Sequence, residues 1–499
     1  MRKFSMLVAV SALMLFAVMI STATAAYHHA GESEKDATIF LNIYPDAAGT
    51  KLDNCALCHG GGQDPNTAKT SILGSCQYCH AVSQYGAVTG KYGSTLNAYG
   101  AKYASIGRTE ASLRSIEGDD SDGDGYSNLA EIIALRYPGD AKDDPSKVPA
   151  PSRVFTKAKL EAMPQHSQFM LMNTTKSGDY YTEYSGVRMD KLLKAAGIRS
   201  EATKITVYAP DGYSISHPLE DDPLNTGATY APYVKGKYPQ ATYYYDAVAD
   251  AAVVQNPDIK GWCDYSSPGT TGLGNGDPIY VRGGLRMLLA LRAEGKDLVP
   301  GYLDSTNKLA SGTEGPFRTV TPQKLIGPPD QPSNNSNSSL IWPYDKNAEH
   351  NAGFSSKSAT IIKVEPLPEG TTDIDVMEAG WNYVDTGKIV IYGNIDPTPN
   401  ILNKLADLTS VVWKADRGDF KRLSYKLALL LKIQAVRQQV ARNHYKSGLM
   451  ELQRDILPKI ESCNQTGKRV ANNWISDCDL QQSLYWSIQE IITLLNIVV

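Results

Sequence analysis

The chain has 499 residues, 42% hydrophobic and 20% charged, with a formal net charge of −4. That length exceeds one ordinary core and divides into three or four units, with the composition of a soluble globular protein. No basic stripe or tail is present, so nucleic acid is excluded as an expected partner.

Residues 1–25 read as a secretory signal. Arg2 and Lys3 form a basic start, Ser5 to Ile20 is an apolar run of 16 that is short for a bilayer span, and Ala23-Thr24-Ala25 is a small-residue cleavage site. Removing it leaves 47 basic and 53 acidic residues, a net charge of −6. No cysteine near that site can carry a lipid, and no later stretch is long and apolar enough to span a bilayer. The expected location is periplasmic or extracellular, the cell surface included, with no integral membrane segment after signal cleavage.

Residues 26–118 carry two CxxCH motifs within 26 residues, Cys55-Ala-Leu-Cys58-His59 and Cys76-Gln-Tyr-Cys79-His80. In such a motif both thiols form thioethers to one haem, and the next residue, histidine, ligates the iron from below. The same cysteines also read C-x2-C-x17-C-x2-C, the spacing of a four-cysteine zinc ribbon. Zinc does not need the two adjacent histidines, and a disulfide pairing leaves both unexplained, so the motifs predict two c-type haems. Of the six other histidines, His28 and His29 share the module with the motifs and are candidate distal ligands; the alternative is a solvated pair on a mobile new terminus.

Residues 119–150 hold a second metal motif and a linker. Asp-Ser-Asp-Gly-Asp-Gly-Tyr-Ser-Asn-Leu-Ala-Glu over 120–131 fits an EF-hand-like calcium loop. Asp120, Asp122 and Asp124 offer carboxylates, Gly125 permits the turn, Tyr126 offers its carbonyl, Asn128 acts directly or through water, and Glu131 closes the shell. The alternative is an acidic solvated turn. Ile132, Ile133 and Leu135 are placed to start a helix packed on the haem module. Residues 140–153, rich in Asp, Pro, Lys and Ser, read as a linker.

A mixed α/β region follows over 151–330. Met189, Leu192, Leu193 and Ala196 have helical spacing, with Gly197 as a stop. Lys204 to Tyr208 and Tyr213 to His217 read as strands, Leu285 to Arg292 as a helix and Phe317 to Val320 as a strand. Tyr243-Tyr244-Tyr245 reads either as an electron relay or as amphipathic strand and surface. A β-rich extension over 331–400 carries strands at Thr360 to Val364 and Lys388 to Tyr392. Residues 401–499 read as an antiparallel helical bundle. Phe420, Leu423, Leu427, Leu430 and Ile433 trace one face, Leu449, Leu452, Ile456 and Ile460 a second, and Leu480, Leu484, Ile488, Ile491 and Leu495 a third.

The cysteines number seven. Beyond the four in the haem motifs, Cys463 and Cys478 flank a polar segment, and an oxidising compartment makes a disulfide their default. Such a closure is worth about 3 kcal/mol in the chain-entropy model. Cys263 is left over, as a buried thiol, an intermolecular partner or a metal ligand.

Tyr184-Ser185-Gly186-Val187, Leu192-Leu193, Ala196-Gly197, Asp211-Gly212-Tyr213 and Gly315-Pro316-Phe317-Arg318 with Pro322 together resemble the sulfite-oxidase-type molybdopterin-binding domain. The resemblance covers roughly residues 165 to 330. Active members of that family hold molybdenum with a cysteine ahead of the helix that begins near Tyr184. This chain has no cysteine between Cys79 and Cys263, so molybdopterin is not expected. From the haem motifs through the Asp-rich loop to Thr313-Glu314-Gly315-Pro316, the chain is similar to bacterial dihaem proteins named for a Gly-Glu-Gly-Pro motif, although here the first glycine is displaced to Gly312. That resemblance implies electron transfer. The C-terminal helices resemble the FIMAH-type module of exported bacterial proteins.

The expected fold is multidomain α+β: a small, mainly helical dihaem module with a calcium loop, a mixed α/β middle domain with its β extension, and a helical bundle. The expected function is electron transfer between a redox partner protein or an extracellular electron acceptor and two covalently bound haems, without a catalytic residue. The competing expectations are a molybdopterin-dependent oxidoreductase and a cell-surface binding protein.

Overall fold

The computed structural model describes residues 32–53, 57–59, 62–63, 70–71, 96–175, 178–210, 213–221, 231–236, 238–245, 272–302, 304, 309–331, 344–374, 379–460 and 473–499. The chain is a mixed α+β protein with several separate sheets.

The N-terminal module is built from short helices. These are α1 (Glu32–Ile43), α2 (Ala98–Ser105), α3 (Glu110–Ser115) and α4 (Asn128–Ile133), with a small antiparallel pair β1 (Gly62–Gln63) and β2 (Thr70–Ser71). Side-chain caps fix where they start: Asn97 for α2, Thr109 for α3 in a capping box with Ser112, and Ser127 for α4. Such short helices are not stable alone, and they bury Phe40, Leu52, Leu57, Tyr99, Tyr103, Leu113, Ile116 and Ile132 in one cluster. Ile132 and Leu135 join that cluster as expected, but Ile133 is exposed and helix α4 ends there.

The stretch read as a linker is instead packed. It contains β3 (Val148–Pro149) and leads into β4 (Ser152–Thr156), and Asp143 and Asp144 are both buried. Asp143 accepts from Thr372 Oγ1 at 2.6 Å and from the Tyr137 N–H at 3.0 Å. A carboxylate so enclosed anchors the chain where composition alone suggests a tether.

The middle region continues with α5 (Lys157–Glu161), β5 (Gln165–Met172), β6 (Tyr180–Arg188), α6 (Met189–Ala196), β7 (Lys204–Tyr208), β8 (Ser214–Pro218), β9 (Ala241–Tyr243) and β10 (Pro278–Tyr280). Next come β11 (Leu288–Ala293), β12 (Lys296–Asp297), β13 (Arg318–Val320), β14 (Ile361–Glu365), β15 (Thr371–Thr372), α7 (Trp381–Thr386) and β16 (Lys388–Gly393). One sheet has the order β12-β11-β6-β5, with β13 also on β11; a second has the order β4-β16-β14-β7-β8. Only β14 and β16 are parallel neighbours in that second sheet. Helix α6 ends as its sequence predicts, with Gly197 at φ 85° accepting the left-handed turn.

Val187, Leu289 and Leu291 of the first sheet share a core with Ile205, Val207, Ile362, Val364, Ile389 and Ile391 of the second. The two sheets therefore face each other across a common interior that also holds α6. Leu288 and Ala290 point the other way, into a cluster with Met170, Met172 and Tyr184. This alternation corrects the helix expected over Leu285 to Arg292. A run that is apolar on both faces belongs to a strand covered on both sides, and periodicity alone does not distinguish the two. Strands β14 and β16 lie inside the second sheet, so the proposed extension beyond residue 330 is continuous with the middle domain.

The C-terminal helices are α8 (Thr398–Lys414), α9 (Leu423–Ala441), α10 (Tyr445–Glu451) and α11 (Cys478–Asn496). Leu449, Leu452, Ile456 and Ile460 are buried as expected, as are Leu484, Ile488, Ile491 and Leu495. On α9 the inward face is Leu429, Ile433, Val436 and Val440, whereas Leu423 and Leu427 are exposed. Helix α9 is apolar on two sides, and the stripe that continues to Val440 is the one that packs. No helix among the described residues is long and apolar enough to cross a membrane.

Candidate haem and calcium sites

Cys58 and His59 of the first CxxCH motif lie against the helical module; Cys55, Cys76, Cys79, His80, His28 and His29 lie outside the described residues. Asn97 holds this half-motif in place. Its N–H donates to the Cys58 carbonyl at 2.9 Å, its side-chain amide donates to the Leu57 carbonyl at 3.0 Å, and its Oδ1 caps α2 through the Gly100 N–H at 2.8 Å. A Cβ on Gly100 would sit 2.2 Å from the Cys58 carbonyl oxygen, so the helix can approach the motif only with glycine there.

His59 pairs through an isolated bridge with Leu96. Burial holds its pKa below the ordinary imidazole value, opposed by the Asp36 carboxylate. A neutral ring is the form an iron requires. Asp36 itself is tied to Tyr103 Oη at 3.0 Å and to the Arg108 guanidinium at 2.6 Å. Among the described residues the buried Tyr99 hydroxyl has no hydrogen-bond partner, and its electrostatic neighbours include Cys58. A half-buried thiol and neutral imidazole on an apolar wall, with an orphaned hydroxyl alongside, fit one edge of a haem pocket.

The acidic loop is folded around its own carboxylates. Asp120 accepts from the N–H groups of Gly123 (2.8 Å), Asp124 (3.2 Å) and Gly125 (2.9 Å), which holds its pKa below the usual range, chiefly through Gly125. Gly123 and Gly125 take φ of 82° and 99°. Ligand oxygens of Asp120, Asp122 and Asp124 lie within 4.8 Å of one another. Glu131, on the first turn of α4, is fully buried, and among the described residues neither of its oxygens, neither oxygen of Asp122 and only one oxygen of Asp124 has a hydrogen-bond partner.

Burial, then Asp122, Asp124 and Asp120, push the Glu131 carboxyl up to about 9. Burial and Asp124 push Asp122 up to about 6. Several carboxylates gathered without a counter-charge are what a hard, oxygen-seeking cation offsets, and these residues fit calcium. Asn128 also ties the loop to its surroundings. Its Oδ1 accepts from the Ser121 N–H at 3.2 Å and its amide donates to the Ile116 carbonyl at 2.6 Å, so it closes the loop onto α3. Tyr126 donates its N–H to Asp124 Oδ1 at 2.8 Å and leaves its ring exposed.

Sequence reasoning missed the joint between this module and the middle domain. Lys51 and Asp143 form a buried ion pair, Tyr137 donates its hydroxyl to the Lys51 carbonyl at 3.0 Å, and Arg136 donates its N–H to the Glu131 carbonyl at 2.7 Å. The acidic loop, the segment leading into the first CxxCH motif and β15 are thus linked residue by residue. No local pattern around Lys51 marks it, because its partner lies 92 positions away.

In the middle domain, the stretches around Tyr184 and Gly315–Arg318 meet at Arg318. This buried guanidinium bonds Tyr184 Oη at 2.6 Å and Tyr180 Oη at 3.1 Å, and pairs with Glu314 of the Thr-Glu-Gly-Pro stretch. Lys357 bonds the same carboxylate at 2.8 Å. A Cβ on Gly186 would lie 2.1 Å from the Leu289 carbonyl oxygen, so that glycine serves the close pairing of β6 with β11. Cys263 lies outside the described residues. Tyr244 is buried beside Leu171, Tyr181 and Ile279, which favours the amphipathic-strand reading of the tyrosine cluster. His166 and His217 bond the carbonyls of Gly284 and Pro232, and His350 pairs with Asp330. Cys478 is disulfide-bonded, and Cys463 lies outside the described residues.

The fold and these sites define a mixed α+β protein with a candidate haem-binding edge and a candidate cation loop. No protein-family model, curated protein or solved structure matches the chain.

Proposed function

We propose that this chain is an exported dihaem c-type cytochrome that carries electrons to or from a redox partner protein or an extracellular acceptor. The observation that carries the reading is the repeated CxxCH motif, whose first copy has its Cys58-His59 half braced by Asn97 and Gly100 with the imidazole kept neutral. Cys55, Cys58 and His59 hold one haem, and Cys76, Cys79 and His80 the other. Bound haem iron supplies one-electron redox chemistry at this site. The protein's part is to bind and orient: Asn97 fixes the motif backbone, the cluster around Phe40 and Tyr103 supplies an apolar wall, and Asp36 stands near the proximal ring.

Asp120, Asp122, Asp124 and Glu131 hold calcium, with the Tyr126 carbonyl completing the shell. The ion braces α4 against the haem module. The middle domain acts as a scaffold on which that module docks, and molybdopterin is not part of the proposal. Metal analysis of protein made in a host with haem-attachment machinery tests the reading. Iron at two per chain, with a c-type haemochrome and without molybdenum, supports it; zinc in place of iron overturns it.

A further inference from the structure

The outward stripe of α9 has no role in the proposed electron transfer. Leu423, Leu427 and Leu431 recur at four-residue spacing and are 45%, 50% and 71% exposed. They lie on the side of the helix away from Leu429, Ile433 and Val436, which pack into the bundle. Trp413, 69% exposed, stands at the end of α8. Lys426 Nζ donates to the carbonyls of Trp413 at 3.0 Å and Ala415 at 2.6 Å, which pins that end beside the first turns of α9. Among the described residues nothing covers these side chains.

The charge around this apolar stripe is as distinctive as its exposure. Between Lys414 and Arg442 the sequence has eight basic and two acidic residues, and of these bases Lys432 is paired with Glu451 and Asp455 outside that stretch. Helix α9 itself contains no acidic residue. Lys414, Lys421 and Arg422 are exposed at the end of the stripe where Trp413 and Leu423 stand. Exposed leucines and a tryptophan rimmed by lysine and arginine match a bilayer interface, where apolar side chains enter the acyl boundary and cations meet lipid phosphates.

We infer that this face of the C-terminal bundle docks peripherally on an anionic lipid surface. The exposed acidic side chains that an acidic protein partner would have to supply could satisfy the cations but would leave the leucine row in water. A lipid surface satisfies both at once. The inference is independent of the haem reading, since no residue in it belongs to the haem or calcium sites.

Flotation of the full-length mature protein with vesicles tests it. Vesicles of equal parts phosphatidylglycerol and phosphatidylcholine are expected to carry the protein at low salt, and vesicles of phosphatidylcholine alone are not. Leu427→Glu with Leu431→Glu, and separately Lys421→Glu with Arg422→Glu, are each expected to weaken partitioning about tenfold or more. All four positions are exposed, and an unchanged melting temperature shows that the fold is retained. Absence of binding to the anionic vesicles overturns the inference, as does equal binding by the variants. A dimer in solution that Leu427→Glu abolishes would assign the stripe to a second copy, and retention on polyglutamate without vesicle binding would assign it to an acidic protein; either result overturns the lipid assignment.

Discussion

The Lys51 ammonium and the Asp143 carboxylate form an ion pair whose two side chains are each only 4% exposed. The pair ties the segment just ahead of the first CxxCH motif to the chain entering the middle domain, and Thr372 of β15 bonds the same carboxylate at 2.6 Å. Removing Asp143 leaves the Lys51 ammonium buried without its ion-pair partner. Asp143→Ala is expected to destabilise the protein by about 3–5 kcal/mol. The double change Lys51→Met with Asp143→Leu should lose much less. Denaturant melts of the two variants check this, and equal losses would show that the pair itself is not the joint.

Gly100→Ala places a methyl group against the Cys58 carbonyl oxygen, at 2.2 Å before any relaxation. Overpacking of this kind destabilises by about 1–3 kcal/mol, and alanine's better helix propensity returns less than about 1 kcal/mol of that. The expected result is a lower melting temperature with reduced haem attachment at Cys55 and Cys58, read by peptide mass spectrometry. Gly118→Ala is the control, because a Cβ there meets nothing within 4 Å.

Calcium saturating its site a hundredfold above Kd stabilises a fold by about 2.7 kcal/mol. Chelation is therefore expected to lower the melting temperature by several degrees. Glu131→Gln should remove most of that response, because this carboxylate, buried and without a partner among the described residues, is the group a bound ion would compensate. Calorimetric titration with calcium checks both expectations. A melting temperature indifferent to chelator contradicts the assignment.

His217 gives the middle domain a pH dependence of known sign. Its ring is fully buried, and burial lowers its pKa from 6.5 to about 4. Between those values the unfolded chain binds the proton and the folded one does not, so stability falls as pH falls. The contribution is fully present above pH 6.5 and is lost progressively toward pH 4. The loss amounts to about 3 kcal/mol at most. His217→Phe is expected to flatten this part of the stability profile, measured by denaturant melts across that range.

Local chemistry was legible where it stood close together in the chain. Met189 to Ala196 announces a helix because its apolar residues sit on one side and Gly197 follows. The Asp120 to Glu131 stretch stands out because its carboxylates and glycines lie close together in the chain. Long-range pairing left no such mark. Leu288 to Leu291 reads as helix until β6 and β13 are known to flank it on both sides. Asp143 looks like a linker residue until Lys51 and Thr372 reach it. On α9 two apolar stripes compete, and only the neighbouring helices decide that Val436 and Val440 continue the buried one. Asn128 matches a ligand position by spacing, but its bonds to Ser121 and the Ile116 carbonyl have no local mark in the sequence.

Two covalent haems are proposed as the redox centres of this chain. Intact-mass measurement of the mature protein, paired with its pyridine haemochrome spectrum, tests it most directly. The expected mass increase is that of two haems, falling to one in Cys55→Ala with Cys58→Ala and to one in Cys76→Ala with Cys79→Ala. A mass with no haem, or a metal content of zinc bound by the same four cysteines, would contradict it.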